Sequence, residues 1–522
     1  MRPRLLHPDE DLDLDRPVPD NADELLRDLG LDDVVAGMAA GDATIAEVAR
    51  HTLLTSLTDA VVIGYRQAVL RDALAHPELI WTLYRLVEGA LLREQHVYHG
   101  LVSNPSSVLK RATEVLELAF DDLRRLRELA SRYLEAVRSP ALTALFTALS
   151  DELDEPALAA FEAQVQQLRF RDGVVVSARL GLGCRATDLV LRARPSRGPV
   201  LRRLLPPSRS STIIRVDDAS DVDRRALTDL REQALSDAAE IMGRVTDEVL
   251  RFLTLLRQEL GFYVGCLELH ERLRATGAPV CFPDPSTAAR PVLVARELYD
   301  PGLSLRTGDR VVGNDVVADG VPLVMVTGAN QGGKSTFLRS VGLAQLMLQA
   351  GTFVAAGSFR ATVAARLFTH VERDEDATLR SGRLDAELRE MRAIDDQLVP
   401  GDLLLCNESF SSTNEREGSL LAHDIVRALV ESGVRVVYVT HLFDLARALH
   451  EDAATDTCFL RAERREDGTR TFKLLAGPPL PTSFGDDLYR RIFGAGGDGD
   501  DGGDGDDGGD GDRTTGPASP VT

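Results

Sequence analysis

The 522-residue sequence is poor in lysine, tryptophan and cysteine: it holds three lysines, one tryptophan and five cysteines, and aromatic residues make up 5% of it. The cysteines, Cys184, Cys266, Cys281, Cys406 and Cys458, are odd in number, widely separated and never in a C-x-x-C pair. Neither a disulfide framework nor a zinc site is suggested. Met1 to Asp20 is a short charged run rich in Asp, without a basic segment leading into an apolar one, so no secretory leader is visible and a reducing cytoplasm is expected. The net charge of -22 argues against a protein that coats nucleic acid or anionic membrane over its whole surface, although it leaves room for a local basic patch. One stretch, Ser340 to Phe359, lacks charge over membrane-spanning length, but Gln345, Gln349 and three glycines interrupt it. It reads as a buried helix and strand, and no membrane partner is expected.

Hydrophobic residues, 44% of the chain, are enough for several cores, roughly three domains at ~150 residues each. Residues 1–30 are acidic and punctuated by proline, and residues 494–522 begin with an almost unbroken Gly/Asp run carrying eight aspartates. Both ends are expected to be disordered, and the tail reads as solubilising, because neither can bury much apolar surface. Residues 31–290 carry apolar residues at helical spacing. One long helix runs through Leu109, Ala112, Leu116, Ala119, Leu123, Leu126 and Ala130. A second begins near Asp223 and carries Leu227, Leu230, Ala234, Ala238, Ile241 and Val245 toward Gly261.

Between these helices lies a strand-containing insertion at about 168–215, with strand-like runs at Val174 to Ser177 and Asp188 to Leu191. Residues 169–215 hold eleven arginines, among them Arg192, Arg194 and Arg197, against two acids. Two readings stand: arginine as the abundant polar residue of loops, or a patch that binds phosphate backbone. From 291 to 493 the texture changes to short β-branched runs alternating with helical ones. Val321 to Val326, Leu403 to Cys406 and Val434 to Val439 are the pattern of buried strands in a mostly parallel sheet covered by helices.

The polar residues at the ends of those strands carry the chemistry. Gly328-Ala329-Asn330-Gln331-Gly332-Gly333-Lys334-Ser335 fits G-x-x-x-x-G-K-[ST], follows a strand and opens a helix, the pattern that cradles nucleotide phosphates. Its glycines let backbone N–H groups turn toward phosphate oxygens, Lys334 can reach the β and γ phosphates of ATP, and Ser335 can ligate Mg²⁺. The apolar strand Leu403 to Cys406 ends in Asn407 and Glu408, where such an ATPase places a magnesium partner and the carboxylate that activates water. Asn407 stands where aspartate is usual, and a neutral amide holds metal-bound water less strongly, so slow turnover is expected. Thr440-His441 ends a third strand, the position of a γ-phosphate sensor, although a structural role for the histidine is the alternative.

These motifs resemble the ATPase domain of the MutS family. Thr327 to Thr336, with the following Phe-Leu-Arg, looks like that family's phosphate loop; Asn314-Asp315 looks like its Asn-Asp element; and Gly351-Thr-Phe-Val354 follows in order. Leu403 to Gly418 aligns with the strand, acidic pair and signature loop, and Thr440-His441 and Ser483-Phe-Gly485 close the set. Leu57-Thr-Asp59 and Tyr65-Arg-Gln67 are similar to the start of the family's helical core. The signature loop departs from the glycine- and serine-rich form, reading Ser411-Ser-Thr413-Asn414-Glu-Arg-Glu-Gly418. None of the 17 phenylalanines has Glu two residues on, the pattern of the family's mismatch reader.

The resemblance implies a multidomain protein with an α-helical core, long lever-like helices and a C-terminal α/β P-loop (ABC-type) ATPase domain. It looks like a shortened branch without the mismatch-reading N-terminal domain. The implied activity is slow ATP hydrolysis with Mg²⁺, coupled to DNA binding without sequence specificity, in repair or recombination. A nucleotide-switched scaffold for protein or RNA, with little hydrolysis, is the alternative. Thr413, Asn414 and Gly418 would act in trans on a second subunit of a homodimer, while helix capping alone also explains Asn414 and Glu417.

Overall fold

The computed structural model describes residues 1–97, 104–170, 176–180, 186–191, 221–328, 332–372, 382–452, 455–464 and 470–480. Eight helices come first: α1 (Ala22–Leu29), α2 (Leu31–Ala39), α3 (Ala43–Leu54), α4 (Ala60–Ala75), α5 (Pro77–Gln95), α6 (Pro105–Tyr133), α7 (Pro140–Glu152) and α8 (Glu155–Leu168). Their starts are written locally. Asp59 accepts the Val61 N–H at 2.7 Å to cap α4, and Asn104 caps α6 ahead of Pro105, whose missing N–H costs nothing in a first turn. Strands β1 (Val176–Leu180) and β2 (Ala186–Leu191) pair antiparallel. Most of the arginine-rich segment, including Arg192, Arg194 and Arg197, lies outside the described residues, as does the tail from 481 to 522.

Helix α9 (Asp221–Ala275) is 55 residues long and packs on α2, α3, α5 and α6. The α6 stripe from Leu109 to Ala130 is buried throughout, as its spacing predicts. On α9 the buried stripe is Leu235, Ala239, Met242, Thr246, Leu253, Leu256 and Leu260, one residue round from the expected Ala234, Ala238 and Ile241; Ile241 is exposed. Both stripes repeat every three to four residues, and the larger Leu and Met side chains fill the groove against α6, each contributing about 1.5–3 kcal/mol on burial. The helix also runs past Gly261, where its end was expected. Gly265 serves as a flat place in its surface: a Cβ there would lie 2.9 Å from Ile45 and 3.2 Å from Met38.

The C-terminal unit comprises β3 (Asp284–Ser286), β4 (Val292–Leu298), α10 (Pro301–Thr307), β5 (Asn314–Asp319), β6 (Leu323–Thr327), α11 (Lys334–Gln349), β7 (Ser358–Thr362), β8 (Leu367–Val371), α12 (Arg383–Asp395), β9 (Leu403–Asn407), α13 (Glu415–Glu431), β10 (Arg435–Val439), α14 (Phe443–Glu451), β11 (Thr457–Arg464) and β12 (Arg470–Ala476). Its main sheet has the order β12-β11-β6-β10-β9-β8, parallel except for β12. A second sheet, β3-β7-β4-β5, flanks it, and the nearly fully buried α11 is the shared core. The boundary drawn at 290 and 291 falls inside this unit, because β3 pairs with β7 and Cys281 bridges to Val354. Ser340 to Phe359 forms the second half of α11, a turn and the start of β7, and no described helix is long and apolar enough to cross a membrane.

Two seams join the helical core to this unit. Leu57 donates its N–H to the Gln349 carbonyl at 3.1 Å while Gln349 Nε2 donates back to the Leu57 carbonyl at 2.9 Å. Arg66 Nη1 reaches the Ala350 carbonyl at 3.3 Å, and Gln67 Nε2 reaches the Pro283 carbonyl at 3.0 Å. Gly351 sits at φ 77 with no space for a Cβ beside Arg66.

The acidic N-terminus, expected to be disordered, is ordered. Leu5 and Leu6 are buried, and side chains distant in sequence hold their backbone: Tyr263 donates to the Leu5 carbonyl at 2.7 Å, Arg66 Nε donates to the Leu6 carbonyl at 2.6 Å, and Glu259 accepts the Leu5 N–H. Further on, Asn21 Nδ2 donates to the Leu367 carbonyl at 2.8 Å, tying the start of α1 to β8. Two leucines and main-chain bonding outweigh a composition that looked unable to order itself.

Glu259 gives this strap a pH dependence. Burial pushes its carboxyl up to about 7, against the opposing pull of the Leu5 and Leu6 N–H groups. A folded-state pKa above the unfolded one means that its contribution is fully present below about pH 4.3 and is lost as pH rises through the folded value. Relative to Glu259→Gln, the wild-type chain should lose about 3 kcal/mol of stability between pH 5 and pH 8. Urea unfolding of both chains at the two pH values checks this; parallel curves would refute it.

Candidate functional site

Strands β6, β10 and β9 are neighbours in the main sheet, so their C-terminal ends deliver Thr327-Gly328, Thr440-His441 and Asn407-Glu408 to one edge. The chain leaves β6 through Gly328, at φ 126, where a Cβ would lie 2.8 Å from that of Ala462. It enters α11 through Gly333, at φ 89, a left-handed conformation that glycine adopts without steric cost. Ala329, Asn330 and Gln331 lie outside the described residues.

Lys334 opens α11 and is 4% exposed. Its Nζ donates to the Gly328 carbonyl at 2.7 Å and lies 3.2 Å from Glu408 Oε1. The other carboxylate oxygen of Glu408 accepts from the backbone N–H of His441 at 2.9 Å and lies 2.8 Å from its Nδ1. Burial alone would raise the carboxyl pKa, but the hydrogen bond from His441 and the charge of Lys334 outweigh it and hold Glu408 below the ordinary carboxylate value. The same hydrogen bond raises the imidazole pKa of His441 against its own burial. The result is a chain of ammonium, carboxylate and imidazole across three strand ends.

Ser335 Oγ donates to Asn407 Oδ1 at 2.8 Å, which brings the two expected magnesium residues into direct contact. A hydroxyl and an amide oxygen are hard donors, suited to an ion that keeps most of its waters and takes its remaining ligands from phosphates. Among the described residues no cluster of three or more His, Cys, Asp and Glu is placed to hold a metal. Thr336 follows in the first turn of α11. Beside the loop opens a cavity of about 740 Å³ lined by Leu303, Val311, Val312, Asn314, Lys334 and Phe472. Asn314 is fixed there by accepting the Leu474 N–H at 2.7 Å and donating to the Phe472 carbonyl at 3.2 Å. Sequence reasoning marked Asn314 by its motif but missed Phe472, whose place in the wall depends on β12 folding back beside the loop.

The signature segment lies at the start of α13. Asn414 caps the helix by accepting the Glu417 N–H at 3.0 Å, and Glu417 Oε2 in turn accepts from Thr413 Oγ1 at 2.7 Å and from Asn414 Nδ2 at 3.1 Å. Capping therefore explains Asn414 and Glu417 within one chain. Gly418 has a steric reason as well, since a Cβ would fall on the Phe410 carbonyl oxygen. Ser483 to Gly485 lie outside the described residues.

Behind Glu408 is a buried group that the sequence did not reveal. Ser409, His370 and Tyr438 are all essentially inaccessible, the His370 ring stacks on Phe410 with centroids 5.7 Å apart, and both Glu408 and Phe410 have positive φ, 55 and 63. Each such conformation costs a non-glycine residue on the order of 1–2 kcal/mol.

A strand, β6, that leads through Gly328 and Gly333 into a helix, with His441 at the end of the adjacent strand β10 and Glu408 one strand further on at the end of β9, resembles the phosphate-binding arrangement of P-loop α/β proteins. Comparison with known families narrows this. A profile described as MutS2 N-terminal domain matches residues 58–276, and one described as MutS domain V matches residues 324–487. The DNA mismatch repair protein MutS of Chloroflexus aurantiacus is 30% identical over 228 residues, covering 39% of this chain and 23% of that protein. Endonuclease MutS2 of Lacticaseibacillus casei is 28% identical over 259 residues, covering 48% and 32%. MutS protein homolog 4 of Homo sapiens is 29% identical over 164 residues, covering 31% and 17%. The chain belongs to the MutS family, and its matches span less than a third of the length of these relatives.

Proposed function

We propose that this protein is an ATPase of MutS type that binds ATP with Mg²⁺, hydrolyses it slowly and couples nucleotide state to DNA binding in repair or recombination. The observation that carries the proposal is the convergence of Lys334, Ser335, Asn407, Glu408 and His441 on one sheet edge. Gly328, Ala329, Asn330, Gln331, Gly332, Gly333 and Thr336 would offer backbone and hydroxyl groups to the phosphates, with the N-terminus of α11 supplying its dipole. Phosphate arriving there competes with Glu408 for the Lys334 ammonium, which releases the carboxylate to accept a proton from the attacking water. His441 keeps that carboxylate oriented and can sense the γ phosphate. Ser335 and Asn407 would hold magnesium, which when bound would supply charge neutralisation on the phosphates. A cytoplasmic location accords with that work on DNA.

Lys334→Ala should weaken ATP binding at least about tenfold, whereas Glu408→Gln should bind ATP normally and turn over at least about a hundredfold more slowly. Equilibrium binding and steady-state hydrolysis decide it; a Glu408→Gln chain as fast as wild type would sink the base assignment.

Arg192, Arg194 and Arg197 are proposed to bind DNA phosphates without reading sequence, on the strength of eleven arginines against two acids in 169–215. Neutralising all three should weaken binding to every duplex similarly and flatten the salt dependence by about one unit of log slope per lost contact. Affinities that stay put in a salt titration would leave the segment as ordinary surface, and retained binding to RNA or protein alone would favour the scaffold reading.

The start of α13, with Thr413, Asn414 and Gly418, is proposed to face the γ phosphate of a second copy, giving a homodimer with two composite sites. Support comes from the exposed helix start, Asn414 to Glu417, and from the resemblance of this segment to the family's signature loop. Mixing a Lys334→Ala chain with a chain altered at Thr413 and Asn414 should restore hydrolysis at one of two sites. Proven subunit exchange without recovery would reject the composite site.

A further inference from the structure

The turn that follows β9 carries two residues in the left-handed region, Glu408 at φ 55 and Phe410 at φ 63, on either side of Ser409. Neither is glycine, so neither rests there by preference, and such a conformation persists only where its surroundings over-determine it. The surroundings converge on Ser409. The Tyr438 hydroxyl donates to its carbonyl at 2.6 Å, its own hydroxyl lies 2.6 Å from His370 Nδ1, with one of the two carrying the shared proton, and it also reaches the His370 carbonyl at 3.3 Å. The Phe410 ring lies on the His370 ring at an interplanar angle of 28°. His370 belongs to β8 and Tyr438 to β10, the strands on either side of β9, so the turn is gripped from both neighbours at once. One further bond, from the Glu408 N–H to the Val439 carbonyl at 2.8 Å, fixes the residue itself.

We propose that Ser409, anchored by His370 and Tyr438, is a positioning residue that holds the Glu408 carboxylate between Lys334 and His441; the proposal rests on Glu408 being the base. A purely structural polar cluster would be satisfied by the same hydrogen bonds with an unstrained turn. Here the strain falls on the one residue whose carboxylate must meet an ammonium on β6's helix and an imidazole at the end of β10. Relaxing Glu408 out of the left-handed region swings its side chain away from both. The grip from β8 and β10 prevents that relaxation, and it does so without touching the phosphate loop.

Tyr438→Phe removes the O–H donor to the Ser409 carbonyl and keeps the ring, and Ser409→Ala removes the hydroxyl that meets His370 while keeping that carbonyl. Each should lower kcat about tenfold or more while changing the KM for ATP by less than about twofold, because placement is disturbed and binding is not. In a Glu408→Gln background either change should have no further effect, the signature of residues acting through the same group. A second readout needs no turnover: histidine NMR should show the His441 imidazole pKa falling in both variants toward its value in Glu408→Gln. Thermal melts identify a variant that fails to fold, and Tyr438→Phe then decides alone. Wild-type kcat with an unmoved His441 titration in Tyr438→Phe overturns the proposal, and so does a loss of the same factor on top of Glu408→Gln. If Glu408→Gln itself turns over normally, the base assignment fails instead; the His441 titration still reports whether Ser409 positions the carboxylate.

Discussion

A buried ammonium has to be compensated, and the C-terminal unit is organised around that requirement. Lys334 is 4% exposed at the head of a helix, where the dipole already places positive charge. Its neutralisation comes from a strand two positions away in the sheet order, through Glu408, and the carboxylate is shared with His441 on the strand between them. No single loop could supply all three groups. The order β6-β10-β9 is what turns distant stretches of chain into one electrostatic unit.

The same helix that begins at Lys334 ends at the seam with the helical core. Over its 16 residues α11 runs about 24 Å, from the ammonium to Gln349. Its far end trades two hydrogen bonds with Leu57 and presents the Ala350 carbonyl to Arg66. Arg66 also holds Leu6, and Leu5 is held by Glu259 and Tyr263 of α9. A rigid, buried helix thus has the candidate site at one end and the long helix of the core, by way of the N-terminal strap, at the other.

How much of this the sequence disclosed depends on the range of the interaction responsible. Strands Leu323–Thr327, Leu403–Asn407 and Arg435–Val439 announce themselves as unbroken apolar runs, and the loop before Lys334 as a motif. The stripe on α6 is legible because Leu and Ala recur there in alternating steps of three and four. On α9 two stripes one residue apart compete, and only the partner surface on α6 chooses between them. Gly261 looked like a stop because glycine often is one; the helix continues past it because Phe262, Tyr263, Val264 and Cys266 stay buried in the core, and a Cβ there would meet only ordinary contacts. The N-terminal strap was hidden because its bonds run between a backbone and side chains more than 50 residues away in sequence. Phe410 was hidden for a different reason, since nothing in composition marks a phenylalanine forced into a glycine-like conformation.

Gly265 is the closest point of α9's packing against α2 and α3. At Gly265, where α9 packs on α2 and α3, a hydrogen atom stands in place of a side chain, so the Met38 and Ile45 side chains pack directly against its backbone. From Gly265 to the beginning of the helix at Asp221 is about 66 Å at the α-helical rise. A rocking of only about 1° at the crossing therefore carries the distant tip through about 1 Å, simple trigonometry on that same rise. Displacements at the hub too small to disturb its packing become, at the tip, shifts comparable to the tolerance of a hydrogen bond.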